Sequence, residues 1–515
     1  MTILNAISAE TPANVTSHAH RWGLAISVFI LGAVIMAMSD RLLPLQVGDP
    51  SYFMPYAINY AAGEGLYNSV STWSFSDPTG AGRLSHGYLQ AMLYGTLLWQ
   101  PSYRALFLIQ GFVAVVTVVL TSVLFSSMIA SSAINFRWAT LIGAVLMLTG
   151  LVPLLLSGRP EPLVTLFYLL TVLVLVRVPT RYQFIPLGAG LLCVGITSPV
   201  GAILGGLLTG AYFSFGDQFR VAAMKYAATM TIAGVGIALT THFVFPFGLE
   251  EWIAGMLHGT KFLNDFNASR LEYWFLNPRT FMLGALFIAS LGSGLMLLYR
   301  NGSRVQCPIG LVVFGLAFAA ASWRFAIWVS ARNYNLFPFA PLACLPILAV
   351  ISGSQWPAPG SDRQVDSALR YGLLLLAALP AIGTARLFLH CAISSRDGLD
   401  YAAARQIVDE LRRNNSRIGL STGLFALAED QQGIDYFEVS DFSDGNVKSL
   451  ASDVLVLQQS KTGTTVPPAL DGYILESDYF LHHTEKVLGV PVAITPEAYN
   501  LAIYKRAALN PSHSD

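Results

Sequence analysis

The fold is decided at Ser39-Asp40-Arg41-Leu42-Leu43-Pro44-Leu45-Gln46-Val47-Gly48-Asp49-Pro50-Ser51-Tyr52, the residues that follow the apolar run Trp22–Met38. An uncharged apolar run of about 17 residues or more reads as a membrane span. Most bundles join their spans by short loops, whereas here a polar, aromatic stretch of about sixty residues separates the first span from the next. Asp49-Pro50 is a helix-start signal, Asp as N-cap and Pro at N1. Tyr52, Tyr56, Ile58 and Tyr60 follow, and Gly63-Glu64-Gly65 stops the helix. The pattern predicts a short amphipathic helix in the membrane interface with its rings at headgroup level. Asp49 stands at its N-terminus, where the helix dipole favours the ionised form. Capping and chemistry are both open to it, because ionisable groups at this depth are costly and tend to be functional.

Working outward, hydrophobic residues make up 54% of the 515 and charged residues 12%, with a mean hydropathy of +0.55. Eleven spans are expected, at roughly 22–39, 104–130, 138–156, 161–177, 183–198, 200–215, 222–245, 279–299, 307–329, 335–352 and 368–391. Pro199 splits two short segments that could equally form one broken helix. The charge is unevenly spread: residues 395–515 hold 17 acidic and 10 basic side chains, leaving 13 and 20 for the first 394. Two domains follow, a transmembrane module at 1–394 and a small acidic α/β domain at 395–515. In the tail, Tyr401–Arg413 reads as a helix, and strands are expected at Arg417–Leu420, Asp435–Val439, Asp453–Gln458, Gly472–Leu475 and Asn500–Lys505. Nothing is basic enough for nucleic acid. Cys193, Cys307, Cys344 and Cys391 sit in or beside apolar runs without CxxC spacing and read as core residues.

Sidedness follows from Lys and Arg in short loops. With a cytoplasmic N-terminus, every inner loop is basic: Arg137, Arg177 with Arg181, Arg220 with Lys225, Arg300 with Arg304, and Arg363 with Arg370. Eleven spans then place the tail outside. The outer loops carry Arg159, Arg324 and Arg332, which the same rule does not explain. Interfacial snorkelling is one reading, and an electropositive face for a lipid phosphate is the other. Arg324 and Arg332 end consecutive spans and are well placed to hold one anion. Ser157-Gly158-Arg159-Pro160-Glu161-Pro162 is a tight outer turn whose two charges could pair with each other or face a substrate. His86, in Ser85-His86-Gly87-Tyr88, opens a second short apolar segment. It reads as an interfacial polar residue or as a donor to a phosphate or sugar.

Taken in order, these segments resemble the C-type (GT-C) integral-membrane glycosyltransferases, which include protein O-mannosyltransferases, aminoarabinose transferases and arabinosyltransferases. Gly48-Asp49-Pro50-Ser51-Tyr52, with Ala61-Ala62-Gly63-Glu64-Gly65-Leu66-Tyr67 after it, is similar to the family's first-loop motif. Ser85-His86-Gly87-Tyr88-Leu89 to Gly95 resembles its "His-Pro-Pro-Leu … Gly" segment, and Tyr103-Arg104-Ala105-Leu106 its "Ala-Arg-Leu". Arg159-Pro160-Glu161-Pro162-Leu163 resembles "Arg-x-x-Asp-x-Leu", and Arg332-Asn333-Tyr334 to Phe337-Pro338 the late "Arg-Tyr … Pro". Pro50 replaces the usual second acid, no Pro-Pro follows His86, and Glu161 stands where Asp is usual.

The resemblance implies transfer of a sugar from a polyprenyl-phosphate carrier to a glycan, lipid or protein acceptor on the outer face. Asp49 would be the general base, with Arg159, Arg324 and Arg332 on the donor phosphate. Tyr52, Glu64, His86 and Glu161 would contact sugar or acceptor. No cofactor is required by the pattern, and a divalent metal stays open. Membrane lipids are expected neighbours, and the build suits a bacterial inner membrane with the tail extracytoplasmic. A transporter or flippase of lipid-linked saccharides, and an O-antigen ligase or polymerase, are the alternatives. A transporter would show matching broken halves, and no such repeat is present.

Overall fold

The computed structural model describes residues 48–68, most of 87–120, most of 159–244, 401–415, 417–428, 433–437, 452–458, 469–470, 472–479 and 501–507, with a few positions between. The expected spans at 22–39, 138–156, 279–299, 307–329, 335–352 and 368–391 lie wholly or largely outside these residues. Four helices describe the membrane module best: α3 (Glu161–Leu175), α4 (Phe184–Thr197), α5 (Pro199–Gly216) and α6 (Phe219–Val244). They coincide with four of the expected spans. At 1.5 Å per residue α6 is about 39 Å long, and it is the one helix among the described residues long and apolar enough to cross a bilayer by itself.

Small residues set the packing. A Cβ on Gly188 would meet Ile232, and one on Gly195 would meet Ile237, so α4 and α6 run parallel in close contact. Gly201 faces Val194 and Gly205 faces Leu191, so α5 returns antiparallel along α4. The reversal takes one residue. Ser198 is extended (φ −151, ψ 103), its hydroxyl accepts from Gly201 N–H, and Pro199 opens α5. The break expected at Pro199 is therefore a hairpin turn.

Hydroxyls inside these apolar helices are satisfied internally, as a hydrocarbon environment demands. Thr165, Thr171, Thr197, Thr209 and Thr229 each donate to the carbonyl four residues earlier. Large apolar side chains stay uncovered by protein, among them Ile185, Leu207, Val235, Leu239 and Phe243, and suit acyl chains.

The loops separate to two ends. Gln183 accepts from Tyr212 O–H, and Lys225 pairs with Asp217 at 2.8 Å. The turns carrying Arg181, Arg220 and Lys225 thus share one end. The turns at 159–161 and 197–199 and the end of α6 share the other, together with α1 (Gly48–Ala61) and α2 (Leu89–Leu97) of the first loop.

The tail is an α/β unit. Helix α7 (Tyr401–Asn414) buries Ala404 and Val408, four apart on one face. Its sheet holds β1 (Ile418–Ser421), β2 (Ile434–Phe437), β3 (Val454–Gln458), β4 (Ala469–Leu470), β5 (Tyr473–Tyr479) and β8 (Leu501–Arg506), in the order β2-β1-β3-β8-β5-β4. β1 is parallel to β2 and β3, while β3–β8, β8–β5 and β5–β4 are antiparallel. β6 (Lys486–Val487) and β7 (Val490–Pro491) form a separate ribbon. All five expected strands are present, shifted by a residue or two, and β5 runs four residues further than expected.

Candidate active site

Of the site candidates, Arg159 and Glu161 meet where the first loop covers the bundle. Helix α1 starts with Gly48, one residue or two before the expected start, so Asp49 and Pro50 lie inside its first turn rather than at N-cap and N1, and a proline's missing N–H still costs nothing there. It ends as expected. Gly63 adopts φ +80, its N–H bonds to Tyr60 O, and Glu64 N–H reaches back to Asn59 O. This double closure with a left-handed glycine is the Schellman arrangement.

The middle of α1 departs from the expected interfacial helix. Met54, Tyr56, Ala57 and Ile58 are between 1% and 5% exposed, so protein rather than headgroups surrounds it. On one side lies α2, where a Cβ on Gly95 would stand 2.8 Å from Ala57 O. On another lies the tail, whose turn Thr422–Leu427 touches α1 directly.

The remaining cover is the turn 159–161. The Arg159 guanidinium lies 5.1 Å from the centre of the Phe53 ring, a cation–π distance. Its Nε–H donates to both carboxylate oxygens of Glu161, at 3.1 Å each. Both side chains are nearly covered, 11% and 6% exposed. Glu161 is in the first turn of α3, where the dipole favours a negative charge. The Arg159 carbonyl accepts from Gln110 Nε2 at 3.0 Å, and Gln110 Oε1 accepts from the buried Tyr94 hydroxyl of α2 at 2.5 Å. One hydrogen-bonded chain therefore links α2, the helix carrying Gln110, the turn and α3, with α1 stacked on it through Phe53.

The other flank is fixed by Gly87 and Tyr88. A Cβ on Gly87 would lie 2.1 Å from the carbonyl carbon and oxygen of Thr197, so only glycine permits this approach. Tyr88 O–H donates to Thr240 Oγ1 at 2.9 Å and lies 3.2 Å from Thr241 Oγ1, and its ring meets Trp252 edge-on.

Of the sequence candidates, Arg159 and Glu161 meet as an ion pair. Asp49 and Tyr52 are on α1, Asp49 one turn, or about 6 Å along the axis, before Phe53. Glu64 is exposed in the turn after α1 and accepts from Tyr67 O–H at 2.6 Å. That bond, with burial next, raises the Tyr67 phenol above its ordinary value. His86, Arg324 and Arg332 lie outside the described residues. Gln110, Tyr94 and Phe53 were not singled out from sequence. Gln110 alone carried a signal, as a single amide inside the apolar run 104–130. Among the described residues no group of three or more potential metal ligands occurs, and Cys193 is a free thiol inside α4.

No family model matches the sequence, and no curated protein sequence matches it. Solved structures do. The oligosaccharyltransferase of Archaeoglobus fulgidus, tethered to an acceptor peptide containing the NVT sequon, aligns over 84% of this chain and 69% of its own at 12% identity and a TM-score of 0.50. The same organism's AglB, in complex with an inhibitory peptide and a dolichol-phosphate, aligns over 84% and 69% at 11% identity, TM-score 0.49. The arabinofuranosyltransferase AftD from Mycobacteria aligns over 93% of this chain and 41% of its own at 14% identity, TM-score 0.41. At such identities the likeness concerns architecture. Over 84% of its length this chain shares the fold of the Archaeoglobus fulgidus oligosaccharyltransferase, a polytopic membrane fold.

Proposed function

We propose that the protein is a membrane glycosyltransferase that moves a sugar from a polyprenyl-phosphate carrier to a glycan, lipid or protein acceptor at the outer membrane face. The observation that carries this reading is the stacking of α1 on the buried Arg159–Glu161 pair through Phe53. It brings the helix that begins with Gly48-Asp49 to the covered end of the bundle, beside fixed charge.

In the proposed reaction the acceptor hydroxyl oxygen attacks the anomeric carbon from the face opposite the phosphate. The new C–O bond forms as the bond to the phosphate oxygen breaks, with inversion. The acceptor proton passes to the Asp49 carboxylate, and the polyprenyl phosphate leaves with the bonding electron pair. Its growing negative charge is met by Arg159, Arg324 and Arg332, the kind of fixed electrostatic stabilisation that lowers such barriers. Tyr52, Glu64, His86 and Glu161 would contact sugar or acceptor. No cofactor enters this reading. The covered end of the bundle would face the periplasm of a bacterial inner membrane, together with the tail domain.

The test is Asp49→Asn. Asn has nearly the size and shape of Asp, so the variant should fold and bind a polyprenyl-phosphate sugar while transfer falls by ~10²–10⁴-fold, the usual worth of a general base. Near-normal transfer by the folded variant rejects the base and moves the assignment to Glu64 or Glu161.

A further inference from the structure

The parallel part of the tail sheet has the order β2-β1-β3. In open α/β sheets with this order the crevice at the carboxyl ends of the strands, where the connection reverses direction, is the usual ligand position. Here the chain leaving β1 fills that place with the 3-10 turn Thr422–Leu427, which touches β1, β2 and β3. Leu424, Phe425 and Leu427 are 0%, 1% and 0% exposed. The same turn reaches across to the membrane module. Phe425 meets Tyr103 edge-to-face, centroids 4.6 Å apart at 90°. One continuous apolar cluster joins Met54, Ala57 and Ile58 of α1 with Leu106, Leu163, Leu424 and Phe425.

A turn that plugs its own domain's crevice and is buried against another domain acts as a wedge. We propose that Thr422–Leu427 is a brace for the first loop, with Phe425 and its partner Tyr103 as positioning residues that hold α1 against the bundle. The tail then serves the active site by ordering the helix that carries Asp49. This consequence for turnover rests on the proposed glycosyltransferase reading, whereas the brace itself does not.

The test is hydrogen–deuterium exchange on the full-length protein in detergent. Phe425→Ala should speed exchange of the α1 amides by on the order of 10²–10³-fold, as expected for truncating a buried aromatic that limits local opening. Amides of α6 should keep their protection. Phe425→Leu, which keeps apolar volume, should restore most of the α1 protection. Tyr103→Ala should loosen α1 likewise while changing no residue of the tail. If Phe425→Ala also unfolds β3 and β8, Tyr103→Ala decides: faster α1 exchange supports the brace and unchanged exchange overturns it. Unchanged α1 protection in both alanine variants overturns it outright. With a polyprenyl-phosphate sugar as substrate, kcat should fall in Phe425→Ala with little change in donor KM, and recover in Phe425→Leu. Loosened α1 in a protein whose wild type transfers no sugar would leave the brace standing and reject the activity.

Discussion

Glu161→Gln is the sharpest perturbation the site offers. Arg159 Nε sits 3.1 Å from each Glu161 oxygen, and the two side chains are 11% and 6% exposed. At an effective dielectric of 20 the gross attraction at this distance is about 5 kcal/mol, and desolvation of two charges takes back much of it. The pair as a whole is thus of small net worth. Breaking one side is different, because removing one partner of a covered pair costs about 3–5 kcal/mol. Glu161→Gln takes this carboxylate away from the guanidinium. Arg159→Gln leaves a carboxylate that keeps ~0.3–1 kcal/mol from the α3 dipole, so it should cost less.

The Leu163 and Val164 amides both bond to Pro160 O and report on this turn. Glu161→Gln should lower their protection about 10²-fold, equivalent to ~3 kcal/mol, and Arg159→Gln by a smaller factor. The double variant should lose less than the sum of the singles by ~1–3 kcal/mol, the coupling expected of a direct pair. Losses that add to within ~0.5 kcal/mol would mean that the two charges do not sense each other, and would refute the electrostatic account of the turn.

Gly87→Ala places a methyl 2.1 Å from the Thr197 carbonyl, which is backbone and cannot swing aside. Overpacking of this kind costs ~1–3 kcal/mol, so the melting temperature in detergent should drop, and an unchanged melting curve would contradict the close approach. Arg332→Ala should weaken binding of a polyprenyl-phosphate sugar by ~1.5–3 kcal/mol, the worth of one charged hydrogen bond, without lowering thermal stability; equal affinity removes Arg332 from the donor site. A reporter that is active only in the cytoplasm, fused after Asp515, should be silent, and a signal would reverse the assigned sidedness.

Features set by local chemistry were readable in the sequence. The stop of α1 at Gly63 needs a residue that tolerates φ +80, and the glycine announces it. The strands at Asp453–Gln458 and Asn500–Lys505 were visible as short apolar runs bounded by polar or turn residues, and appear as Val454–Gln458 and Leu501–Arg506. The four described bundle helices follow from apolar runs with basic loops at one end. What lay hidden was what covers what. Tyr52, Tyr56 and Tyr60 recur every four residues, a pattern that suits a headgroup stripe and a buried face equally. The cover itself, Leu424 and Phe425, is supplied from the far end of the chain. Gln110 was hard to weigh for the same reason: Tyr94 and the Arg159 carbonyl, which it bonds, lie in other elements. The bond from Tyr67 to Glu64 likewise depends on the fold of the turn rather than on spacing alone.

Arg159 and Glu161 were open to two readings from sequence, a mutual pair or a substrate-facing couple, and their ion pair does not by itself choose between them. A carboxylate whose two oxygens both accept from Nε–H also fixes the plane of the guanidinium. A phosphate site needs donors held in place before the charge develops. A pair that only locks the turn and a pair that presents an arginine differ in what Glu161→Gln does to the donor. If the pair is a lock, the variant lowers Leu163 and Val164 protection and leaves affinity for a polyprenyl-phosphate sugar unchanged in the protein that remains folded. If Glu161 orients Arg159 for the phosphate, donor affinity falls as well, and Arg159→Gln with the double variant shows the same loss, because the carboxylate acts only through the arginine. Equal losses in all three variants would assign Glu161 as a positioning residue of the donor site. An affinity loss in Arg159→Gln alone would reduce it to a structural partner.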